Sequence, residues 1–294
     1  MKKNWKNLLI NLFLIFFLVL AFKNKELIAY YAIEGINLYL LKVFPFLFIM
    51  IILENLLINY GILNYIKKPK IVIILLFLLG GSPTSAILLN DLVKNNSIDD
   101  KTANKMLKYS YFSNPLFCYY MLYNIFLNKN LVIKIILSHY LSNIFISLIH
   151  KDKIYYSKNK NTNNLGTNII SSIKKSVDTN LMILGTIVFF MILNGILNNG
   201  NSNINFFISG IIEITQGLNK LSLLQNNIIK IIYAIIFISF GGLSIHLQIY
   251  TCLDSNSNLK YSSFFKGRIL CTLISIIIFI ILTIIWIIKI YRNS

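Results

Sequence analysis

Acidic residues are scarce: ten Asp and Glu stand against 28 Lys and Arg, for a net charge of +18. Proline (4), cysteine (3) and tryptophan (2) are scarcer still. The cysteines, Cys118, Cys252 and Cys271, show no C-x-x-C or other metal-ligand spacing, so no metal site is expected. H-E-x-x-H, G-x-S-x-G and P-loop patterns are also missing. That argues against an enzyme and leaves Ser244 and His246 as its only candidate groups. No cofactor is expected. So basic a chain raises the question of nucleic acid, but no aromatic-interleaved basic groove or DNA-binding motif accompanies the charge. Nucleic acid is not expected as a partner.

Apolar residues are what the chain has in abundance. They make up 56% of it, against roughly 45–50% in soluble domains. Apolar runs recur from end to end, and basic residues sit mostly between them, as the positive-inside rule predicts. The expected class is therefore all-α: a polytopic helical membrane protein, its lysines facing anionic lipid headgroups. Lys2, Lys3 and Lys6 precede an apolar run over 8–22. This looks like a signal peptide without its small-residue cleavage site, and it reads as an uncleaved first helix. Residues 25–42 look amphipathic and suited to the interface. Further apolar runs follow over 43–63, 71–93, 109–127, 131–149, 177–197, 206–218, 226–253 and 269–288. The coarse division is 1–42, a first half over 43–149, a basic cytoplasmic loop over 150–176 and a second half over 177–294.

Two of these runs are interrupted by a double glycine followed by polar residues. The first reads Gly80-Gly81-Ser82-Pro83-Thr84-Ser85 and the second Gly241-Gly242-Leu243-Ser244-Ile245-His246. Freed backbone groups survive at membrane depth only inside protein or against a cavity. Broken segments at matching places in two halves point to a transporter-like binding site. If both Gly-Gly segments dip in and return, the basic stretches at 67–70, 94–108, 150–175, 220–230 and 260–268 all fall inside. The uncharged loop at 198–205 falls outside, as does the C-terminus. The halves then read as inverted repeats with broken or re-entrant helices.

At these motifs the chain resembles a known family. Gly80-Gly81-Ser82-Pro83-Thr84-Ser85-Ala86, Phe112-Ser113-Asn114-Pro115-Leu116-Phe117 and Gly241-Gly242-Leu243-Ser244-Ile245-His246-Leu247-Gln248 look like signature stretches of the sporulation integral membrane protein family (YlbJ/SpoVV-like). Val43-Phe44-Pro45-Phe46, Glu54-Asn55-Leu56-Leu57 and Glu213-Ile214-Thr215-Gln216-Gly217-Leu218 add to the likeness. The chain departs from the family's Ser-Gly-Tyr-Pro-x-Gly and Asn-x-Gly-Pro patterns, which marks a divergent member. The resemblance implies two nucleoside-recognition (Gate) halves. It also implies a part in endospore formation, moving dipicolinate toward the forespore. The alternatives are a structural or assembly protein of the developing spore membrane, or a nucleoside transporter. The partners implied are a small organic anion, membrane lipids, and a second copy or other sporulation membrane proteins.

The candidate substrate-binding residues are Gly80, Gly81, Ser82, Pro83, Thr84, Ser85, Asn114, Gly241, Gly242, Ser244, His246 and Gln248. A helix starting at Pro83 would aim its positive dipole end at a carboxylate. The plainer reading is glycine-mediated packing with Ser and Thr as interhelical glue. His246 can equally be a satisfied core histidine, and Asn114-Pro115 a structural kink. Glu54 and Glu213 are candidates for coupling to protons, because acids within apolar runs are functional by default. Either can instead be solvated at an interface.

Overall fold

The computed structural model describes residues 4–150, 154, 164–197, 206–253 and 258–293. Its first half contains α1 (Asn4–Lys23), α2 (Lys25–Leu38), α3 (Phe44–Asn59), α4 (Ile62–Tyr65), α5 (Pro69–Gly80), α6 (Thr84–Lys94), α7 (Asp100–Leu107), α8 (Pro115–Phe126) and α9 (Lys129–Ile149). Its second half contains α10 (Leu165–Leu197), α11 (Phe206–Ile212), α12 (Ile214–Leu221), α13 (Asn227–Phe240), α14 (Leu243–Cys252) and α15 (Tyr261–Asn293). No β-strand occurs among the described residues; one isolated bridge joins Ile98 and Ile154. Five helical stretches are long and apolar enough to cross a membrane: Lys25–Asn59, Lys129–Ile149, Leu165–Leu197, Asn227–Cys252 and Tyr261–Ile288. The chain is an all-α, polytopic integral membrane protein.

The segment over 25–42 is not a separate interfacial element. A π-helical turn at Tyr39–Val43 joins α2 to α3, just ahead of Pro45. Proline cannot donate to the residue four before it, so the helix loosens there without stopping. The continuous rod runs antiparallel to α10. Gly195 accepts the Tyr31 ring, Gly35 meets Val188 and Met191, and Tyr39 Oη donates to Asn180 Oδ1 at 2.5 Å. Farther along, Ser176 Oγ donates to Phe48 O at 2.9 Å.

Two apolar clusters mark the two ends of the bundle. One gathers Val72, Leu92, Ile98, Leu107, Ile146, Leu253 and Leu259. The start of α5, the end of α6, α7, the end of α9 and the α14–α15 link therefore share one end. Lys70 Nζ ties them further by donating to Ser147 O at 2.5 Å and His150 O at 2.7 Å. The other cluster gathers Phe126, Leu131, Leu221, Leu224 and Ile231. The α8–α9 turn and the α12–α13 link share that opposite end.

This placement corrects the expectation that both Gly-Gly segments turn back. α5 and α6 do form a hairpin, because both of its ends sit in the first cluster. α13 and α14 instead run as one broken helix antiparallel to α15. Ser239 Oγ bonds Ser275 Oγ at 3.0 Å, while His246 packs on Phe264 and Phe265, nearer the start of α15. The second hairpin is α11–α12, where Gly217 lies so close to Gly210 that a Cβ would strike its backbone. The basic stretch over 220–230 therefore lies at the end opposite 67–70, not beside it. In the first half the broken crossing is α7, a non-helical stretch over 110–114, and α8. Residues 198–205 and most of 150–163 lie outside the described residues.

The lysine-rich end carries Lys67, Lys68, Lys70, Lys94, Lys101, Lys105 and Lys260, so the positive-inside rule assigns it to the cytoplasm. We expect single cysteines at Asn95 and at Asn164 to react with an impermeant thiol reagent from the cytoplasmic side, and one at Asn226 from the other. Labelling of the first two from opposite faces would exclude this arrangement of α5–α9.

Candidate functional site

Four interruptions meet near the centre of the bundle. Gly81, with φ +65°, closes α5 by donating to Phe77 O at 2.9 Å. A Cβ there would come within 3.3 Å of Phe112 O, so the first hairpin tip lies against the non-helical stretch of its own half. Gly241, with φ +78°, closes α13 in the same way by donating to Phe237 O at 3.0 Å. A Cβ on Gly242 would come within 2.9 Å of Ile214 N, so the second break lies against the second hairpin tip. The glycines answer local needs: a positive φ at Gly81 and Gly241, and close approach of neighbouring groups at Gly80 and Gly242.

The non-helical stretch is held by side chains from α9. Ser113 N donates to His139 Nε2 at 3.2 Å, Tyr140 Oη to Ser113 O at 2.7 Å, and Asn143 Nδ2 to Tyr111 O at 3.0 Å. Non-helical backbone at membrane depth needs such partners. Asn114 then caps α8, accepting from Leu116 N at 3.0 Å and Phe117 N at 3.1 Å. At the second hairpin tip Glu213 caps α12. Its Oε2 accepts from Gln216 N at 2.8 Å and from the Thr215 hydroxyl.

These pieces surround a cavity of about 80 Å³, room for several waters at the roughly 10–15 Å³ that each needs. Its polar lining comes from both halves: Ser82, Asn114, Glu213, Thr215, Ser244 and Gln248. Its apolar wall includes Leu47, Phe117, Ile183 and Ile187. Ser82 Oγ, Ser244 Oγ and Glu213 Oε1 are buried without a hydrogen-bond partner. The starts of α6, α8, α12 and α14 lie at this cavity. α8 and α12 are capped by Asn114 and Glu213, whereas α6 and α14 have no side-chain cap.

Of the sequence-derived candidates, Gly81, Ser82, Asn114, Ser244, Gln248 and Glu213 line the cavity. Gln248 is tethered there, its Nε2 donating to Thr186 Oγ1 at 2.7 Å. Gly80, Pro83, Thr84, Ser85, Gly241 and Gly242 shape the breaks behind it. Glu54 lies elsewhere, with Thr84, in a smaller cavity. His246 faces away: Nδ1 pairs with Tyr261 Oη at 2.8 Å and Nε2 with Phe240 O at 3.2 Å, while its ring stacks near Phe240, Phe264 and Phe265. With both ring nitrogens satisfied, His246 is a core residue between α14 and α15. We expect His246→Ala to lower the unfolding temperature of the detergent-solubilised protein and to leave ligand affinity within about twofold of the parent, well under the tenfold that 1.4 kcal/mol represents. A selective loss of affinity at unchanged stability would put the histidine back in the site.

Sequence reasoning missed Tyr111, Ser113, Thr215 and Arg268. Ser113 and Thr215 lie inside stretches already singled out, and Tyr111 adjoins one. Arg268 sits where a basic stretch runs into an apolar one, so it reads as an interface charge. It is in fact fully buried. Nη2 donates to Lys108 O and Asn143 Oδ1, each at 2.8 Å, and Nη1 lies 3.3 Å from Ser239 O and 3.4 Å from Tyr111 O. One guanidinium thus serves carbonyls at both breaks. Gly267 makes room, because a Cβ there would strike the backbone of Lys108.

The chain is similar to the sporulation integral membrane protein YlbJ of Bacillus subtilis (strain 168), with 23% identity over 297 residues that cover 80% of this chain and 72% of that one. No family model matches the chain. No solved structure matches it. The protein is an integral membrane protein with a distant relative named for sporulation.

Proposed function

We propose that the protein moves a small organic anion across the membrane, with the central cavity as its binding site. The observation that carries this reading is the pairing of two uncapped helix starts, α6 and α14, with unpartnered serine hydroxyls beside them. Helix starts carry partial positive charge, which suits a carboxylate; at α6 the Ser85 and Ala86 N–H groups already turn to Gly81 O and Pro83 O, so there the Ser82 hydroxyl is the free donor. No full cation has to be buried, so the anion can leave as well as bind. The order of elements supports two halves related as inverted repeats. Each holds a long helix, a hairpin, a broken crossing and a long helix, and the hairpins enter from opposite ends. The flat dianion dipicolinate, moved toward a forespore, is the specific substrate we propose, in keeping with the sporulation name of the relative.

Glu213 supplies the coupling step in this proposal. Its free Oε1 faces the same cavity as the anion, and two carboxylates at close range in low dielectric repel strongly. Anion binding therefore requires a proton on Glu213, whose O–H then donates to the substrate. The same free oxygen favours a second reading, in which a nucleoside hydroxyl donates to an ionised Glu213. Uptake of radiolabelled dipicolinate and of nucleosides into vesicles holding the purified protein separates the two. We expect Ser82→Ala and Ser244→Ala each to weaken dipicolinate binding about tenfold, since one charge-assisted hydrogen bond contributes roughly 1.5–3 kcal/mol. Parent-like affinity in both variants would reduce the breaks to packing devices.

A further inference from the structure

A second polar cluster lies away from the central cavity, where α3, the first hairpin and α10 meet. Glu54, on α3, is 2% exposed, and neither carboxyl oxygen has a donor in hydrogen-bonding geometry. Glu54 Oε2 and Thr84 Oγ1 crowd the Cα of Gly80 so tightly that any Cβ there would collide with both. Thr84 Oγ1 already directs its own hydrogen to Gly81 O, 3.0 Å away. A cavity of about 10 Å³, room for about one water, opens beside the carboxyl, and Thr84, Thr179 and Lys175 line it with Glu54. Lys175, on α10, pairs at 3.0 Å with Asp91 Oδ2 on α6. Lys175, in the lining of that cavity, and its partner Asp91 are the charged groups placed beside Glu54.

A carboxylate buried without a donor is strongly unfavourable. In the arrangement described, Glu54 therefore carries its proton, and the acceptor beside it is Thr84 Oγ1, whose hydroxyl can accept while it donates. The relay runs from Glu54 through Thr84 to Gly81 O and ties α3 to the tip of the first hairpin. A deprotonated Glu54 needs a cation or a donor instead. Lys175 lines the same cavity on a flexible four-carbon stem, and its present partner is the part-exposed Asp91 carboxylate.

We propose that Glu54 is a proton-binding site separate from the central cavity and that it latches the first hairpin, with Lys175 exchanging partners between Asp91 and Glu54. Protonated Glu54 holds the Thr84–Gly81 tip, while the Lys175–Asp91 pair holds α6 to α10. When the proton passes to water at the lysine-rich end, Lys175 moves to the Glu54 carboxylate. α6 then loses its tether and the tip loses its link to α3. The inference rests on reading the first hairpin as a moving part of a transporter, but its test needs no transport.

The probe is a cysteine at Ser82, at the hairpin tip, in a chain whose Cys118, Cys252 and Cys271 are replaced by alanine. Its labelling rate with a charged maleimide, measured in detergent across a pH series and divided at each pH by the rate for a free cysteine thiol, reports opening of the tip. We expect a pH-dependent step in this background and loss of the step in Glu54→Gln and in Lys175→Met. Asp91→Asn frees Lys175 to stabilise the Glu54 carboxylate, so it moves the step to lower pH. Infrared difference spectra over the same series should show a protonated-carboxyl band that disappears as the step occurs and is missing in Glu54→Gln. Persistence of the step in either Glu54→Gln or Lys175→Met overturns the latch, as does a step that follows sodium concentration at constant pH. Should Glu54→Gln fail to fold, an unmoved step in Asp91→Asn overturns it equally. Absence of solute uptake beside an intact step counts against the transport reading and leaves the latch standing.

Discussion

Glu213→Gln is expected to abolish proton-driven accumulation of the anion while the protein stays folded in the membrane. The glutamine amide oxygen can still accept from Gln216 N, so the cap on α12 survives. What it cannot do is gain or release a proton. With one proton carried per anion, a gradient of one pH unit sustains about tenfold accumulation, since one unit is worth about 1.4 kcal/mol. The variant should therefore equilibrate its substrate to roughly equal concentrations inside and out, whatever the imposed gradient. Ser82→Ala should behave differently, binding more weakly yet still concentrating substrate at saturation. Full gradient-driven accumulation by Glu213→Gln would leave Glu213 as a cap and remove proton coupling from the central cavity.

The helical class and most crossings were legible in the sequence because hydrocarbon imposes one requirement everywhere: about twenty apolar residues per span. The grouping of 94–105 with 150 at one end was also legible, since lysines resist translocation wherever they occur. The two Gly-Gly pairs were harder. Both cap the end of an apolar helix through a glycine with positive φ, and nothing in the dipeptide says whether the chain then reverses. The difference lies just beyond it. After Gly81, Ser82 and Pro83 intervene before α6, which leaves room for a reversal. After Gly241, Gly242 alone is the N-cap of α14, and the helix resumes its course.

The second hairpin did leave a trace, because the run over 206–218 is too short to span and short runs suit re-entrant segments. Glu213 marks its tip, an acid placed where it can cap a helix start. The cavity lining was found through polar residues inside apolar runs, which is why Ser82, Asn114, Ser244 and Gln248 were named. Its apolar wall from α10 was not, since Ile183 and Ile187 look like any lipid-facing residue until the packing partners are known. His246 misled for a related reason: depth in the membrane raises the functional prior but says nothing about which way a ring points.

Arg268→Met is expected to destabilise the protein more than any substitution in the cavity. The side chain is of similar length and apolar, so volume is roughly kept and the loss falls on hydrogen bonding. Lys108 O, Asn143 Oδ1 and Ser239 O would lose the guanidinium as a donor, whereas Tyr111 O keeps the Asn143 amide. Each buried polar group left unsatisfied costs about 1–3 kcal/mol, so several kcal/mol in total are at stake. The damage should appear at both breaks together, because Lys108 precedes the first and Ser239 precedes the second. Arg268→Lys should not restore stability. An ammonium is a point donor, and it cannot reproduce the planar fork that spans Asn143 on one side and Ser239 on the other. The Tyr111 and Phe264 rings, 5.2 and 5.4 Å from the guanidinium carbon, would lose their stacked partner as well. Thermal unfolding of the three proteins in one detergent checks this. A midpoint for Arg268→Met equal to the parent's would mean that the broken helices hold their carbonyls by other means, and that Arg268 does not join the two halves.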